Sequence, residues 1–423
     1  MLIPDLVRGF DYRAMAQAVA AQSPTLEHVF VSGEAAARQI PLDALARAHP
    51  EPQRALRGMG PRPSEVALML LSGGTTGLPK LIPRTHDDYV YNCKQCARVV
   101  GVDADAVFLA VLPMAHNYTL GCPGVLGTLA RGGTVVIAPG HAADMVLPLI
   151  ESERVTVVSA AVPLVAKWLD SAALGRHDLG SLRVFMNGGA KLVPELRRRV
   201  EERFGCTYLE SFGTGEGLIN VTRLDDPAEL RYESSGRPVS PADEIKVVDE
   251  SGAEVPDGAP GELICRGPYT IRGYYHAPEI NAAAFTPDGF YRMGDIVRKV
   301  NGYLFLEGRK KDLINRGGEK VSCEEVENHL LAHPAIESAC VVAMPDPTFG
   351  EKACAFVILR AGCSLGFEEL TAFLQTRGIV RFKMPERLEL VQEFPISPAG
   401  KILRRELRAR IAAQLAREGT ASP

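Results

Sequence analysis

In 423 residues the sequence sets 47 Lys and Arg against 51 Asp and Glu, a formal net charge of -4, with 46% apolar residues; that is too long for one core and gives no reason to expect a nucleic-acid or membrane-surface partner. No run of about 18 apolar residues marks a spanning helix, and the N-terminus lacks the basic, apolar and small-residue order of a secretory signal. The nine cysteines, scattered from Cys93 to Cys363, read as reduced, mostly buried thiols of a cytoplasmic protein rather than as disulfides or a zinc site.

Along the chain, residues 1–60 mix helical stretches with a short apolar run at 28–32. Val66–Leu71 (VALMLL) predicts a fully buried strand that runs straight into a glycine-rich loop. Short apolar runs recur at 106–112, 133–137, 155–159 and 182–186, separated by segments of helical length such as 87–100 and Pro194–Phe204. This alternation predicts an α/β domain with a largely parallel sheet. From about Ser234 proline and glycine become dense, and 244–249, 261–266 and 302–307 read as strands of a β-rich subdomain. The charged, glycine-bearing run 308–321 (GRKKDLINRGGEKV) suits a hinge or exposed loop. A compact α+β pattern follows, with helices at 323–332, 367–375 and 404–415 and strands at 338–343 and 353–359. The expected division is a large domain over 1–311, its β-rich part at about 234–311, and a small mobile domain over 312–423 with the hinge at Lys311–Asp312.

The loop after the first of these strands is LSGGTTGLPK, 71–80. Its glycines let the backbone take positive φ and approach a ligand closely. The hydroxyls of Ser72, Thr75 and Thr76, with backbone N–H groups around Gly73 and Gly74, can donate to phosphate oxygens, and Lys80 adds a positive charge. The spacing is not that of a P-loop, which needs four residues between two glycines and then Lys and Ser/Thr. Five residues after Gly73 stands Leu78, and Lys80 lies between Pro79 and Leu81. A glycine-rich surface turn is the plainer alternative.

Further strings along the chain extend the pattern: SFGTGEG at 211–217, YRMGD at 291–295, GRKKD at 308–312 and PAGK at 398–401. In this order, and over nearly the whole chain, they resemble the motifs of the adenylate-forming superfamily of acyl-CoA synthetases, adenylation domains and luciferases. The resemblance implies a large N-terminal α/β domain with a β-rich subdomain, a small C-terminal α+β domain, and ATP with Mg²⁺ as cofactors. It assigns Ser72, Gly73, Gly74, Thr75, Thr76 and Lys80 to the phosphates, Phe212 to the adenine, Asp295 and Arg309 to the ribose, and Gly213 to the ATP site. Glu216 would hold Mg²⁺, which neutralises the triphosphate and polarises phosphorus. Lys401 would stabilise the charge that develops between carboxylate and α-phosphate; taken without the family it reads as an exposed surface lysine. Asp312 would be the residue about which the small domain rotates, and Gly317, Gly318 and Lys320 would line the tunnel for a phosphopantetheine thiol.

One branch matches more closely. LIPRTHDDY at 81–89, AHNY at 115–118, TRLDD at 222–226, RGPYTIRGYY at 266–275 and NRGGEK at 315–320 are similar to strings of the stand-alone aryl acid–AMP ligases of siderophore assembly. That branch implies an aryl acid as substrate and a phosphopantetheinylated aryl carrier protein as acceptor. Asn117 would bind the ortho-hydroxyl and carboxylate and Tyr118 would form a wall. His116 would flank the carboxylate path, or else be a satisfied structural histidine. Gly188, Gly189 and Ala190 would make a flat floor, with Ser211, Gly215 and Ile219 completing the pocket. Cys122 stands where members taking 2,3-dihydroxybenzoate tend to carry serine and salicylate-activating members cysteine. A thiol is a poor partner for a buried 3-hydroxyl, a difference of about 1–3 kcal/mol, so salicylate is expected. Ser211 and Gly215 depart from the apolar residue and the alanine usual there, which leaves a substituted salicylate, a hydroxypicolinate or a hydroxyanthranilate as alternatives. An aryl-CoA ligase, or a nucleotide-binding fragment without turnover, are the competing functions. The phosphate loop also begins about 115 residues earlier than in full-length relatives, so an open sheet edge or exposed apolar face is expected.

Overall fold

The computed structural model describes residues 1–7, 9–48, 57–72, 80–396 and 402–420. The chain divides into two compact units, Met1–Arg62 and Pro63–Pro423. In the first, strands Leu2–Pro4, Phe30–Ser32 and Ile40–Pro41 pair in parallel in that order, and helix Tyr12–Gln22 lies between the first two in sequence. Ile3, Ala16, Val29 and Val31 form its core.

The second unit is built on a seven-stranded sheet, in the order Arg237–Pro238, Gly217–Val221, Thr207–Thr214, Val184–Gly188, Val157–Ala160, Val107–Ala110, Thr134–Ile137. The five strands from Thr207–Thr214 to Thr134–Ile137 are mutually parallel, and Gly217–Val221 pairs antiparallel with both Thr207–Thr214 and Arg237–Pro238. Runs such as VFLA, VVSA and VFMNG are continuous rather than alternating because both faces are covered. One face packs on Leu147, Ile150, Trp168 and Phe204, the other on Cys96, Val100 and Tyr118. Helix His86–Val100 starts at a capping box, with Thr85 and Asp88 bonded reciprocally, and ends at Gly101 with φ 76.

The β-rich part is a four-stranded antiparallel sheet of Glu244–Val248, Pro260–Arg266, Tyr291–Val300 and Tyr303–Arg309. Beyond it a second mixed sheet gathers Glu319–Ser322, Leu313–Arg316, Gly350–Leu359, Ile336–Asp346 and Arg387–Leu390. Val326, Leu330, Leu370 and Leu374 of helices Cys323–Leu331 and Phe367–Thr376 pack in one of its cores, and Leu407 and Ile411 of helix Arg404–Thr420 in the other.

Two expectations are corrected. Val66–Leu71 is a strand, but it pairs antiparallel with Leu81–Thr85 as an isolated two-stranded ribbon, and of its six residues Leu70 alone is buried. The run 308–321 is not a loop: Lys310–Asp312 form a 3-10 turn, and Leu313–Arg316 and Glu319–Ser322 a hairpin. Its tip needs Gly317 at φ 59 and Gly318 at φ 100. Val66 (49%) and Leu71 (68%) of the ribbon and Ile137 (60%) of the edge strand are exposed.

Candidate functional site

The ribbon delivers the phosphate-loop candidates. Ser72 N–H donates to Lys80 O at 2.9 Å, and Lys80 N–H to Ser72 Oγ at 3.0 Å, so both ends of the loop are pinned together. Gly73, Gly74, Thr75 and Thr76 lie outside the described residues. The Lys80 ammonium stands 4.5 Å from the ring centroid of Tyr274. It borders an open groove of about 860 Å³ that Glu262, Arg292 and Lys310 also line. Buried Glu262 holds Lys310 at 2.9 Å and Arg292 at 3.5 Å.

Glu216 occupies the tight turn between strands Thr207–Thr214 and Gly217–Val221. Gly217 takes φ 133, and a Cβ there would fall 2.5 Å from Thr270 Cα, so only glycine lets the turn approach that backbone. The Glu216 carbonyl accepts from Ile271 N–H at 2.8 Å and its buried carboxylate from the Tyr274 hydroxyl at 2.8 Å. Arg84, fully buried, donates through Nη1 to the Gly215 carbonyl at 2.9 Å and through Nε to Asp88 at 2.9 Å. Phe212 is partly buried against the core that includes Leu70, Ile82 and Leu218. At Gly213 a Cβ would meet Leu218 O at 2.4 Å.

Asp295 and Arg309 face each other across neighbouring strands, Nε to Oδ1 at 2.8 Å. Asp295 is 1% exposed, and its Oδ2 is buried without a hydrogen-bond partner. Burial pushes the carboxyl up to about 7 against the pull of the Arg309 guanidinium. One oxygen oriented by a cation and the other waiting for a donor is an arrangement that suits a diol.

The acid-pocket candidates cluster at the short helix Asn117–Gly121. His116 is its N-cap: Nδ1 accepts from the Tyr118 N–H at 3.2 Å, which leaves Nε2 as the protonated nitrogen of the neutral ring. Asn117 Oδ1 accepts from the Tyr89 hydroxyl at 2.8 Å, and its Nδ2 lies 3.9 Å from Cys122 Sγ. Asn92 Nδ2 lies 4.0 Å from the same sulfur and donates to Gly121 O at 2.8 Å. The neighbouring Cys96 and Cys122 thiols shift each other, Cys122 downward and Cys96 upward.

Tyr118 lies against the strand end at Gly188, where a Cβ would come within 2.7 Å of its Cζ. Gly189 follows with φ 89, and Asn187 Nδ2 donates to Ala190 O at 2.8 Å and to Glu210 at 3.2 Å. Glu210 is itself paired with fully buried Arg197 at 3.2 Å. Ser211, in register with Gly188, and Ile219 are both buried. The Lys191 N–H, at the end of this floor, donates to Glu324 Oε1 at 3.1 Å.

Asp312 closes the 3-10 turn, its carbonyl accepting from the Cys323 thiol at 2.7 Å and its carboxylate facing Arg408 at 3.5 Å. Lys320 is exposed on the hairpin whose tip carries Gly317 and Gly318. Lys401 lies outside the described residues, in a segment flanked by the bridge between Ile396 and Ile402.

Tyr89, Asn92, Cys96 and Tyr274 were not singled out from the sequence. The first three had a signal: polar and thiol side chains at helical spacing on one buried face, including the Cys93–Cys96 pair three residues apart. Tyr274 had none, because its partner Glu216 is 58 residues away.

A family model described as AMP-binding enzyme matches residues 6–275, and one described as AMP-binding enzyme C-terminal domain matches residues 325–401. The chain is 51% identical over 415 residues to a 2,3-dihydroxybenzoate-AMP ligase of Bacillus subtilis (strain 168), covering 98% of this chain and 76% of that protein. It is 47% identical over 412 residues to a salicylyl-CoA synthase / salicylate adenylyltransferase of Streptomyces sp, covering 96% and 74%. It is 42% identical over 409 residues to the salicyl-AMP ligase / salicyl-S-ArCP synthetase of Mycobacterium tuberculosis (strain ATCC 25618 / H37Rv), covering 96% and 71%.

Proposed function

The chain belongs to the AMP-binding enzyme family, and from that premise we propose that it activates an aryl carboxylic acid, salicylate first among them, as the aryl-adenylate. A carboxylate oxygen attacks the α-phosphorus of ATP, the bond to the β-phosphate oxygen breaks, and pyrophosphate leaves. The aryl group then passes to the phosphopantetheine thiol of an aryl carrier protein: sulfur bonds to the acyl carbon, AMP departs, and the thiol proton is released. The observation that carries the aryl assignment is the cluster of buried Tyr89 and Cys122 around part-buried Asn117, beside Tyr118 packed at Gly188. It offers an aromatic slot with an amide and a thiol at one edge, in a chain whose relatives bear the names of 2,3-dihydroxybenzoate and salicylate ligases.

The chain's own residues divide the work. Asp295 and Arg309 bind the ribose, and Ser72, Lys80 and the loop between them bind the phosphates. Asn117 orients the acid against Tyr118. Glu216 fits a hard cation, being a buried carboxylate whose Oε1 is engaged by Tyr274 while, among the described residues, no hydrogen bond engages its second oxygen. Magnesium bound there would supply neutralisation of triphosphate charge. Lys401 stabilises the charge between carboxylate and α-phosphate, and the segment beyond Asp312 rotates between the two half-reactions.

Pyrophosphate exchange across salicylate, 2,3-dihydroxybenzoate, methylsalicylates, hydroxypicolinate and hydroxyanthranilate tests the reading. Salicylate should give the highest kcat/KM, and exchange with none of them would overturn the activity. Lys401→Ala should abolish exchange while leaving nucleotide binding intact. Coenzyme A as acceptor is the second reading, favoured by the name of the Streptomyces relative; offering each thiol separately and analysing the thioester decides between them.

A further inference from the structure

Tyr274 meets two residues of the proposed site at once. Its hydroxyl donates to Glu216 Oε1 at 2.8 Å, and its ring face lies 4.5 Å below the Lys80 ammonium. The residue is held on every side. Asn281 clamps its backbone, accepting from the Tyr274 N–H at 2.7 Å and donating to its carbonyl at 3.0 Å. Phe285 meets the ring edge-on at 6.4 Å, and the Tyr291 hydroxyl lies 3.2 Å from its own. A tyrosine that merely fills core space has no need of an amide clamp on its backbone and a cation over its face.

We infer that Tyr274 is a positioning residue that sets the spacing between the cation-binding carboxylate and the phosphate-binding lysine. Its hydroxyl engages one Glu216 oxygen and so turns the other toward the ligand. Its ring holds Lys80 at the mouth of the phosphate loop, pinned there through Ser72. The two charges that must converge on one triphosphate are thereby fixed by a single rigid side chain. The inference rests on the nucleotide-binding part of the proposed function and is independent of which acid is activated.

Calorimetric binding of a non-reactive ATP analogue over a Mg²⁺ titration tests it without turnover. Tyr274→Phe keeps the ring and removes the donor. The Mg²⁺ midpoint should rise about fivefold, while affinity at saturating Mg²⁺ stays within about twofold of wild type. Tyr274→Leu also removes the ring, and affinity should fall about tenfold even at saturating Mg²⁺. In the Lys80→Ala background that second loss should disappear. A wild-type Mg²⁺ midpoint in Tyr274→Phe overturns the inference, and so does a Tyr274→Leu loss that persists without Lys80. Should Tyr274→Leu fail to fold, Tyr274→Phe decides alone. A wild type that binds the analogue but exchanges with no aryl acid would sink the acid assignment and leave the Tyr274 result standing.

Discussion

The Cys122 thiol is 2% exposed and has the amide nitrogens of Asn117 and Asn92 at 3.9 and 4.0 Å. A serine hydroxyl there would both donate to and accept from a ring hydroxyl, which sulfur does poorly. Cys122→Ser should shift the kcat/KM ratio of 2,3-dihydroxybenzoate to salicylate by about tenfold toward the dihydroxy acid. An unchanged ratio in pyrophosphate exchange would remove Cys122 from the specificity argument. Asp295 makes a second prediction, through pH. Its raised carboxyl takes up a proton as pH falls through about 7, losing both an acceptor pair and its attraction for Arg309. Adenosine, which has no phosphate to titrate, should therefore bind fully above that pH and progressively more weakly below it. Asp295→Asn should bind weakly with a flat profile. The same shift makes the fold less stable, not more, as pH rises from about 4 to 7, because over that range the native state holds a proton the unfolded chain has lost.

Elements carry the next predictions. Strand Val184–Gly188 ends with its last Cα against the Tyr118 ring, so Gly188→Ala pushes that ring out of place. The KM for the aryl acid should rise about tenfold with nucleotide affinity unchanged, the effect of overpacking confined to one pocket. Helix Pro194–Phe204 is tied to strand Thr207–Thr214 by Arg197 and Glu210, 0% and 2% exposed. Arg197→Met would strand Glu210 as an uncompensated buried charge and should cost about 3–5 kcal/mol in urea denaturation. Adding Glu210→Gln should recover part of it. The strands and helices of this layer were legible because VFLA, VVSA and VFMNG are unbroken apolar runs at α/β spacing. Val66–Leu71 was misread for the same reason: VALMLL has the composition of a buried central strand, and composition does not say that its one pairing is with Leu81–Thr85. In the run 308–321, charge and glycine suggested an exposed loop, whereas the paired glycines are the tip of a hairpin. The site candidates Glu216 and Asp295 can be picked from the sequence because each sits in a recognisable motif. Tyr274 and Arg84, which hold Glu216 and its Gly215 neighbour, act through contacts that no local spacing encodes.

For the whole molecule, the family models match residues 6–275 and 325–401, and SFGTGEG, YRMGD and GRKKD fall on turns and strand ends. The proposed rotation about Asp312 would carry the sheet and helices beyond it past the acid-pocket floor. The contacts it must release include the Lys191 N–H to Glu324 bond and the Arg377–Glu195 pair, 3.5 Å apart with side chains 35% and 58% exposed. Pairs as exposed as Arg377–Glu195 contribute about 0–1 kcal/mol and weaken further as ions screen them. In the proposed rotation, the Arg377–Glu195 pair would then be a weak electrostatic catch. Ionic strength would act as its throttle: moderate salt should quicken the changeover and leave the chemistry of either half untouched.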